Sequence, residues 1–212
     1  MSNASDRAYQ HLRALIIAGD LAPGTQLKEE QVAELCGVSR TPVRNAMHRL
    51  EAEMFIERTE SQRSFVAHWS DADVADLFSL RTLLEGYAAE QAVSNMTDAM
   101  IERLQDNCDR TALAINAPTP DTDVFLKENA AFHGLILEAA GSDRLASMLR
   151  RLVLVPLVQR TALHYDRHQL ARSLAEHREL VAAFKACDPE WAKSIMTGHI
   201  RRAYHVYKDS RG

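Results

Sequence analysis

A single β-leaning stretch, "FIERTESQRSFVAHW" at residues 55–69, interrupts a chain whose apolar residues otherwise recur at helical spacing. Its two runs, Phe55–Arg58 and Ser64–His68, flank a polar turn and read as a hairpin. From Ser70 onward there is no strand signal, so the hairpin borders a small mixed unit, residues 1–69, and a larger all-helical unit, residues 70–212. A length of 212 residues accommodates two such units.

Ahead of the hairpin, Tyr9, Leu12, Ile16 and Ile17 form one apolar stripe on a helix from about Asp6 to Ala18, which "GDLAPG" (19–24) ends. A second helix is expected at about Lys28–Cys36, with Val32 and Leu35 turned inward and Gly37 as its C-terminal cap. Ser39 is placed to cap a third helix, in whose first turn Pro42 loses no needed N–H, and Val43, Met47 and Leu50 share its buried face. Three helices and a hairpin, with a tight Gly37-Val38 turn, describe a winged helix-turn-helix. In that geometry the start of the third helix meets base edges in the major groove. Ser39, Arg40, Thr41 and Arg44 occupy that start, with Arg40 and Arg44 on one face. The planar guanidinium fork pairs with guanine or phosphate, and the helix N-terminus offers free N–H groups to phosphate. Three arginines alone would sooner make a solvated basic face; the turn, cap and hairpin around them favour DNA. Arg49 falls outside the reading edge and is expected to meet phosphate or solvent.

Net charge is -4, and neither unit is basic: residues 1–69 hold eight Lys/Arg against nine Asp/Glu, and residues 70–212 seventeen against twenty. DNA contact must therefore rest on a few placed arginines rather than on bulk attraction. The longest apolar stretch is broken by Pro156 and flanked by Arg150, Arg151 and Arg160, short of a membrane span. The N-terminus lacks the apolar core of a secretion signal, and the separated Cys36, Cys108 and Cys187 suit reduced thiols, so a cytoplasmic location is expected.

In the second unit, helices are expected at about Ser70–Val93, Thr97–Asn116, Thr122–Ala140, Ser142–Tyr165, Leu170–Ala186 and Pro189–Lys208, an antiparallel bundle. Ser70 with Asp73 resembles a capping box; Val74, Leu77, Leu80, Leu84 and Ala88 line one side of the first, and Pro156 is expected to kink the fourth. Six of the nine histidines lie here. Asn129 and His133 are four apart and share a face, as would His164 and His168 on a continuous helix. Such scattered histidines are more often fillers than ligands.

The segment "GDLAPGTQLKEEQVAELCGVSRTPVRNAMHRLEAEMFIE" resembles the DNA-binding domain of the GntR family of transcriptional regulators, marked by a G-x-L-x-P-G turn, L-x-E-x-x-L-A and G-V-S-R-T-P-V-R. The likeness spans about residues 7–68 and implies DNA contacts at Ser39, Arg40, Thr41 and Arg44. Two positions depart from it. Met54 stands where the family commonly has glycine, and Arg63 stands for a glycine near the wing tip. Arg63 would then exchange a backbone contact for a side-chain contact to phosphate, or be a plain hairpin-tip charge.

The helical unit resembles the FCD ligand-binding domain of the FadR-type branch, through "NAAFH" (129–133), Glu176-His177 and His199-Ile200. Metal-binding members place one Asp and three His on a divalent cation, which implies Asn129, His133, His177 and His199 here, with Zn or Ni suited to three imidazoles. Asn129 replaces the carboxylate, so the site would keep one more positive charge and bind metal less tightly. The likeness of "LRTLLEGYAAE" (80–90) implies Arg81 as the group that holds an effector carboxylate, against a plain ion pair to Glu85. The implied function is a homodimeric regulator that reads a palindromic operator under control of a small carboxylate bound at the metal. Two other readings stand beside it: a metal-dependent hydrolase with Glu138 or Glu176 as nominal base, and a metal-free bundle that only dimerises. Only neutral imidazole ligates, so metal loss is expected as pH falls through about 6.

Overall fold

A computed structural model of the chain describes residues 4–152, 158, 161–162 and 165–209. They form two compact units, the first of residues 4–70 with residue 158 and the second of residues 71–152, 161–162 and 165–209. The first unit runs α1 (Ala4–Ala18), β1 (Gln26–Leu27), α2 (Glu29–Cys36), α3 (Arg40–Ala52), β2 (Ile56–Arg58) and β3 (Ser64–Val66). β3 lies between β1 and β2, antiparallel to both, with Gln26 opposite Phe65 and Ile56 opposite Val66. β1 adds a strand to the expected hairpin; two residues are too few to show a period.

Tyr9, Leu12 and Ile16 of α1, Val43, Met47 and Leu50 of α3, and Phe55, Ile56 and Val66 from the wing meet in one core. A side chain such as Leu50, fully buried, contributes about 1.5–3 kcal/mol by leaving water. Leu35 does not join them; it is 51% exposed. The inward face of α2 is set instead by Val32 with Ala33 and Cys36, since positions four apart stack on a helix. Gly37 ends α2 at φ 63°, a left-handed cap that glycine adopts freely, and the chain turns directly into α3. Ser39 occupies the N-cap position of α3 with extended backbone, but its hydroxyl makes no capping bond.

The second unit comprises α4 (Asp71–Ala92), a single 3₁₀ turn (Val93–Asn95), α5 (Asp98–Asn116), α6 (Thr122–Ala139), α7 (Asp143–Leu152), α8 (Arg167–Lys185) and α9 (Pro189–Asp209). Side chains cap several starts: Thr97 Oγ1 accepts from the Met100 N–H at 3.2 Å, Asp121 from Val124 at 3.0 Å, and Asp188 from Trp191 at 2.9 Å. α8 begins at Arg167, not Leu170. "DRHQ" is a capping box in which Asp166 accepts from the Gln169 N–H at 2.7 Å and Gln169 Oε1 accepts from the Asp166 N–H at 2.8 Å. His168 therefore sits in the first turn of α8, while His164 and the expected kink at Pro156 lie outside the described residues.

α4 runs along α9 and also meets α6 and α7, while α5 packs on α6 and α8. Gly86 permits the approach of α4 to α9: a Cβ there would meet Thr197 Oγ1 at 2.8 Å. The buried face of α4 carries Val74, Phe78, Arg81, Glu85, Ala88, Ala89 and Ala92, whereas Leu80 is 47% exposed. α4 has apolar residues on nearly every side, so apolarity alone did not single out that face. Cys36, Cys108 and Cys187 are free thiols, and no helix among the described residues is long and apolar enough to cross a membrane.

Candidate functional site

Two groups of side chains stand out, one in each unit. In the first, Ser39, Arg40, Thr41 and Arg44 line the exposed start of α3, held outward because Val43, Ala46, Met47 and Leu50 pin the opposite face. Neither Arg40 nor Arg44 is unpartnered. Arg44 donates from Nε and Nη2 to Glu29 Oε1 and Oε2 at 2.8 Å each, a parallel fork. Arg40 Nη1 donates to Glu30 Oε1 at 3.0 Å, and its Nη2 lies 3.5 Å from Glu29 Oε2. The Arg44 hydrogen bonds hold the Glu29 carboxyl below its usual range. Arg49 points elsewhere: Nη1 donates to Asp6 at 2.7 Å and the guanidinium covers the Tyr9 ring at 4.0 Å, tying α3 to α1. Its side chain is still 46% exposed, so it meets solvent as expected while it also ties the two helices. Arg63 is exposed on the wing loop, where Thr59 donates its N–H to the Arg63 carbonyl at 2.9 Å. The left-handed wing residue is its neighbour Gln62, at φ 61°, and Met54 after α3 is also left-handed, at φ 64°.

In the second unit, α6, α8 and α9 bring His133, His177 and His199 together, with one ring nitrogen of each within 4.8 Å of the others. The ring centroids are 4.9 Å apart for His177 and His199, 5.3 Å for His133 and His199 and 5.6 Å for His133 and His177. Phe132 stacks flat on His177 at 4.0 Å and fixes that ring. Two carboxylates fix the others. His133 Nδ1 donates to Glu85 at 2.7 Å and His199 Nδ1 to Glu176 at 2.8 Å. A carboxylate only accepts, so both Nδ1 atoms carry a proton, and in the neutral ring each leaves its Nε2 lone pair for a ligand.

Each carboxylate is itself held by a guanidinium. Arg81 Nε donates to Glu85 at 2.7 Å, and Arg202 Nε and Nη2 donate to Glu176 at 2.8 and 2.6 Å. Burial alone would raise the Glu85 carboxyl, but Arg81 and His133 outweigh it and bring it to about 2. At Glu176 burial is likewise outweighed, by His199 and Arg202, and the carboxyl again sits at about 2. His177 has neither device. Both its ring nitrogens are buried without a hydrogen-bond partner, and burial, then the neighbouring histidines, pushes it well below 6.5.

A buried imidazole with two unmet nitrogens is costly unless something else occupies it. A divalent cation would take one of those nitrogens: three imidazoles at mutual ligand spacing, two of them oriented through Nδ1 by carboxylates, make the donor set that borderline cations favour. A metal there would act as a Lewis acid that holds anionic oxygen. Arg202 Nη1 is also buried and lacks a partner, beside the Tyr165 ring, which lies 5.9 Å from the guanidinium.

Compared with known proteins, residues 4–66 match the family model described as bacterial regulatory proteins of the gntR family, and residues 76–202 match the FCD domain. The chain belongs to the GntR family of transcriptional regulators, with an FCD domain. The HTH-type transcriptional regulator YdhC of Bacillus subtilis is 26% identical over 90% of this chain and 85% of its own length. The HTH-type transcriptional repressor RspR of Escherichia coli is 27% identical over 93% of this chain and 86% of its own. Among solved structures, E. coli McbR/YncC superposes with a TM-score of 0.75 over the whole of both chains at 22% identity, which shows the shared fold.

As a GntR-family regulator the protein binds DNA and is not an enzyme, so the hydrolase reading falls. FCD domains bind small-molecule effectors and commonly metal. Within this regulator the three histidines converge, and Asn129 lies one turn before His133 on α6, half-buried. Arg81 is paired with Glu85, the ion pair that the spacing of four allowed. Sequence reasoning gave no role to Glu29, Glu30, Arg202 or Tyr165, saw Glu85 only as an ion-pair partner for Arg81, and saw Glu176 only beside His177 in a motif and as a nominal base. A buried Arg81 and Glu85 four apart inside an apolar helix was the one available signal for the orienting pairs.

Proposed function

We propose that the protein is a homodimeric one-component regulator that reads a palindromic operator with Ser39, Arg40, Thr41 and Arg44, aided by Arg63 on phosphate. A divalent metal, Zn or Ni, sits on His133, His177 and His199 with Asn129 as the weaker fourth donor, and a small carboxylate effector binds at that metal. The observation that carries the metal half is His177, whose two ring nitrogens are buried without a partner between two histidines that are already oriented.

Charge supports an anionic effector. Arg81 with Glu85 and Arg202 with Glu176 are each neutral as pairs, and the exposed Arg172 on Glu176 only adds positive charge, so a divalent ion on neutral imidazoles leaves at least two positive charges at the site. Asn129, neutral where the family pattern has a carboxylate, does not offset them. Arg202, whose Nη1 is buried without a hydrogen-bond partner, stands beside Arg81, which gives Nε to Glu85, as a candidate to donate to the effector. Dimerisation finds support on α4, where Leu80, Leu83 and Tyr87 are 47%, 69% and 48% exposed along one side of the helix. Effector control requires a difference in effector affinity between DNA-competent and incompetent states.

Elemental analysis of protein purified without chelator or nickel resin tests the metal half: near-stoichiometric Zn or Ni is expected, and its retention in His177→Ala would contradict the assignment. Gel shifts test the DNA half. Arg40→Ala and Arg44→Ala should each weaken operator binding, and unchanged binding by both removes the start of α3 from the interface.

A further inference from the structure

We infer that Glu29 and Glu30, at the start of α2, act on the two reading arginines in opposite ways: Glu29 aims Arg44 at a base, and Glu30 competes with the DNA backbone for Arg40. The inference rests on the proposed role of the start of α3 and adds a specificity device to it.

The difference lies in which edge of each guanidinium is engaged. A guanidinium has a side edge, formed by Nε and one Nη, and an end edge, formed by Nη1 and Nη2. Arg44 gives its side edge to Glu29 through two bonds of 2.8 Å, which leaves its end edge free and fixed in direction. That edge is the one that pairs with guanine O6 and N7. Glu29 can thus stay bonded while Arg44 reads, and its side chain, 27% exposed, is braced by the fold.

Arg40 is held the other way. Nη1 faces Glu30 and Nη2 faces Glu29, so its end edge is already occupied by carboxylates. Glu30 is the looser partner, 73% exposed. Arg40 must leave Glu30 before it can serve a phosphate or base, and the displaced carboxylate then repels nearby phosphate. That cost applies to every duplex, whereas only the correct one returns base contacts that offset it. Glu30 thereby depresses non-specific binding more than specific binding, which matters for a protein whose first unit has no positive net charge to spare.

The test uses the full-length protein, with duplexes selected from a random pool by wild type, Glu29→Gln, Glu30→Gln and Arg44→Ala. Affinities for the wild-type operator and for a scrambled duplex of equal length are then measured across a salt series. Glu29→Gln has one oxygen where the fork uses two and no charge, so it cannot hold Arg44 in the parallel fork and should lose base preference at the same operator column that Arg44→Ala loses. Its operator affinity should fall about two- to fivefold, with scrambled-duplex binding unchanged. Glu30→Gln should keep the selected motif, bind scrambled duplex about two- to fivefold more tightly, and steepen the salt slope by about one per protomer. If Arg44→Ala selects the same motif as wild type, the reading of α3 fails and this inference with it. If Arg44→Ala loses a column that Glu29→Gln keeps, or if Glu30→Gln leaves scrambled-duplex affinity and salt slope unchanged, the inference alone is overturned.

Discussion

Replacing Glu85 by Gln probes the orienting pairs around the histidines with almost no change in shape. The carboxylate accepts from Arg81 Nε and from His133 Nδ1, each at 2.7 Å, in a site 5% exposed. Glutamine offers one acceptor and one donor group. Its oxygen will go to the charged Arg81, the stronger donor, which turns the amide N–H toward His133 Nδ1. His133 must then accept at Nδ1 and carry its proton on Nε2, the atom that would otherwise face the metal. Losing an orienting partner of this kind typically costs about 10–100-fold in metal affinity. Stability should also drop by about 3 kcal/mol, because the buried Arg81 keeps a hydrogen bond but loses its counter-charge. The assay is competition with a chromophoric chelator on metal-stripped protein at neutral pH, alongside denaturant unfolding. An affinity within twofold of wild type, in a background where His177→Ala abolishes binding, would refute the claim that Glu85 sets the His133 tautomer.

Other outcomes follow from separate features. Met54→Gly should stabilise the first unit by about 0.5–1 kcal/mol, the left-handed strain of φ 64° relieved less the entropy of glycine; a lower denaturation midpoint would show that Met54 contributes packing instead. Asn129→Asp should tighten metal binding about tenfold or more, since a carboxylate offsets one charge of the ion; unchanged affinity removes residue 129 from the ligand set. Metal-free protein should lose stability as pH falls below about 6.5, because burial depresses His177 and His199, so the unfolded chain takes up protons first. The slope should approach about 1.4 kcal/mol per pH unit for each histidine, with Glu85 and Glu176 adding to the loss below about 4.5. A denaturation midpoint that stays flat from neutral pH to about pH 5 would contradict this. The same depression weakens proton competition for the metal, so metal should persist below the pH of about 6 expected of ordinary histidines.

Local signals recovered most of the architecture. Gly37, Thr97 and the Asp188-Pro189 start each encode a helix end in one or two residues, and each is found there. The errors arose where the signal was shared or too short. Gln26–Leu27 is a strand only because β3 pairs with it, and "DRHQ" looked like a linker because its polar residues cap α8 rather than solvate a loop. The face of α4 was misjudged at Leu80 because the charged pair, not the leucines, turns inward. The histidines could be named from a motif, but which nitrogen of each is free depends on Glu85 and Glu176, brought by α4 and α8 from distant parts of the chain. Likewise, Arg40 and Arg44 were visible in "SRTPVR", while the carboxylates that clasp them come from the preceding helix, where Glu29 falls in the L-x-E-x-x-L-A pattern but nothing in the spacing links it to Arg44.

Native mass spectrometry of the full-length protein, purified without chelator or nickel resin, tests the central claim most directly. The account predicts a dimer with one Zn or Ni per protomer, further mass from a small anion that leaves under gentle activation, and a metal-free dimer for His177→Ala. A wild-type dimer that carries no metal after incubation with Zn or Ni, or a His177→Ala dimer that keeps the full metal complement, would contradict it.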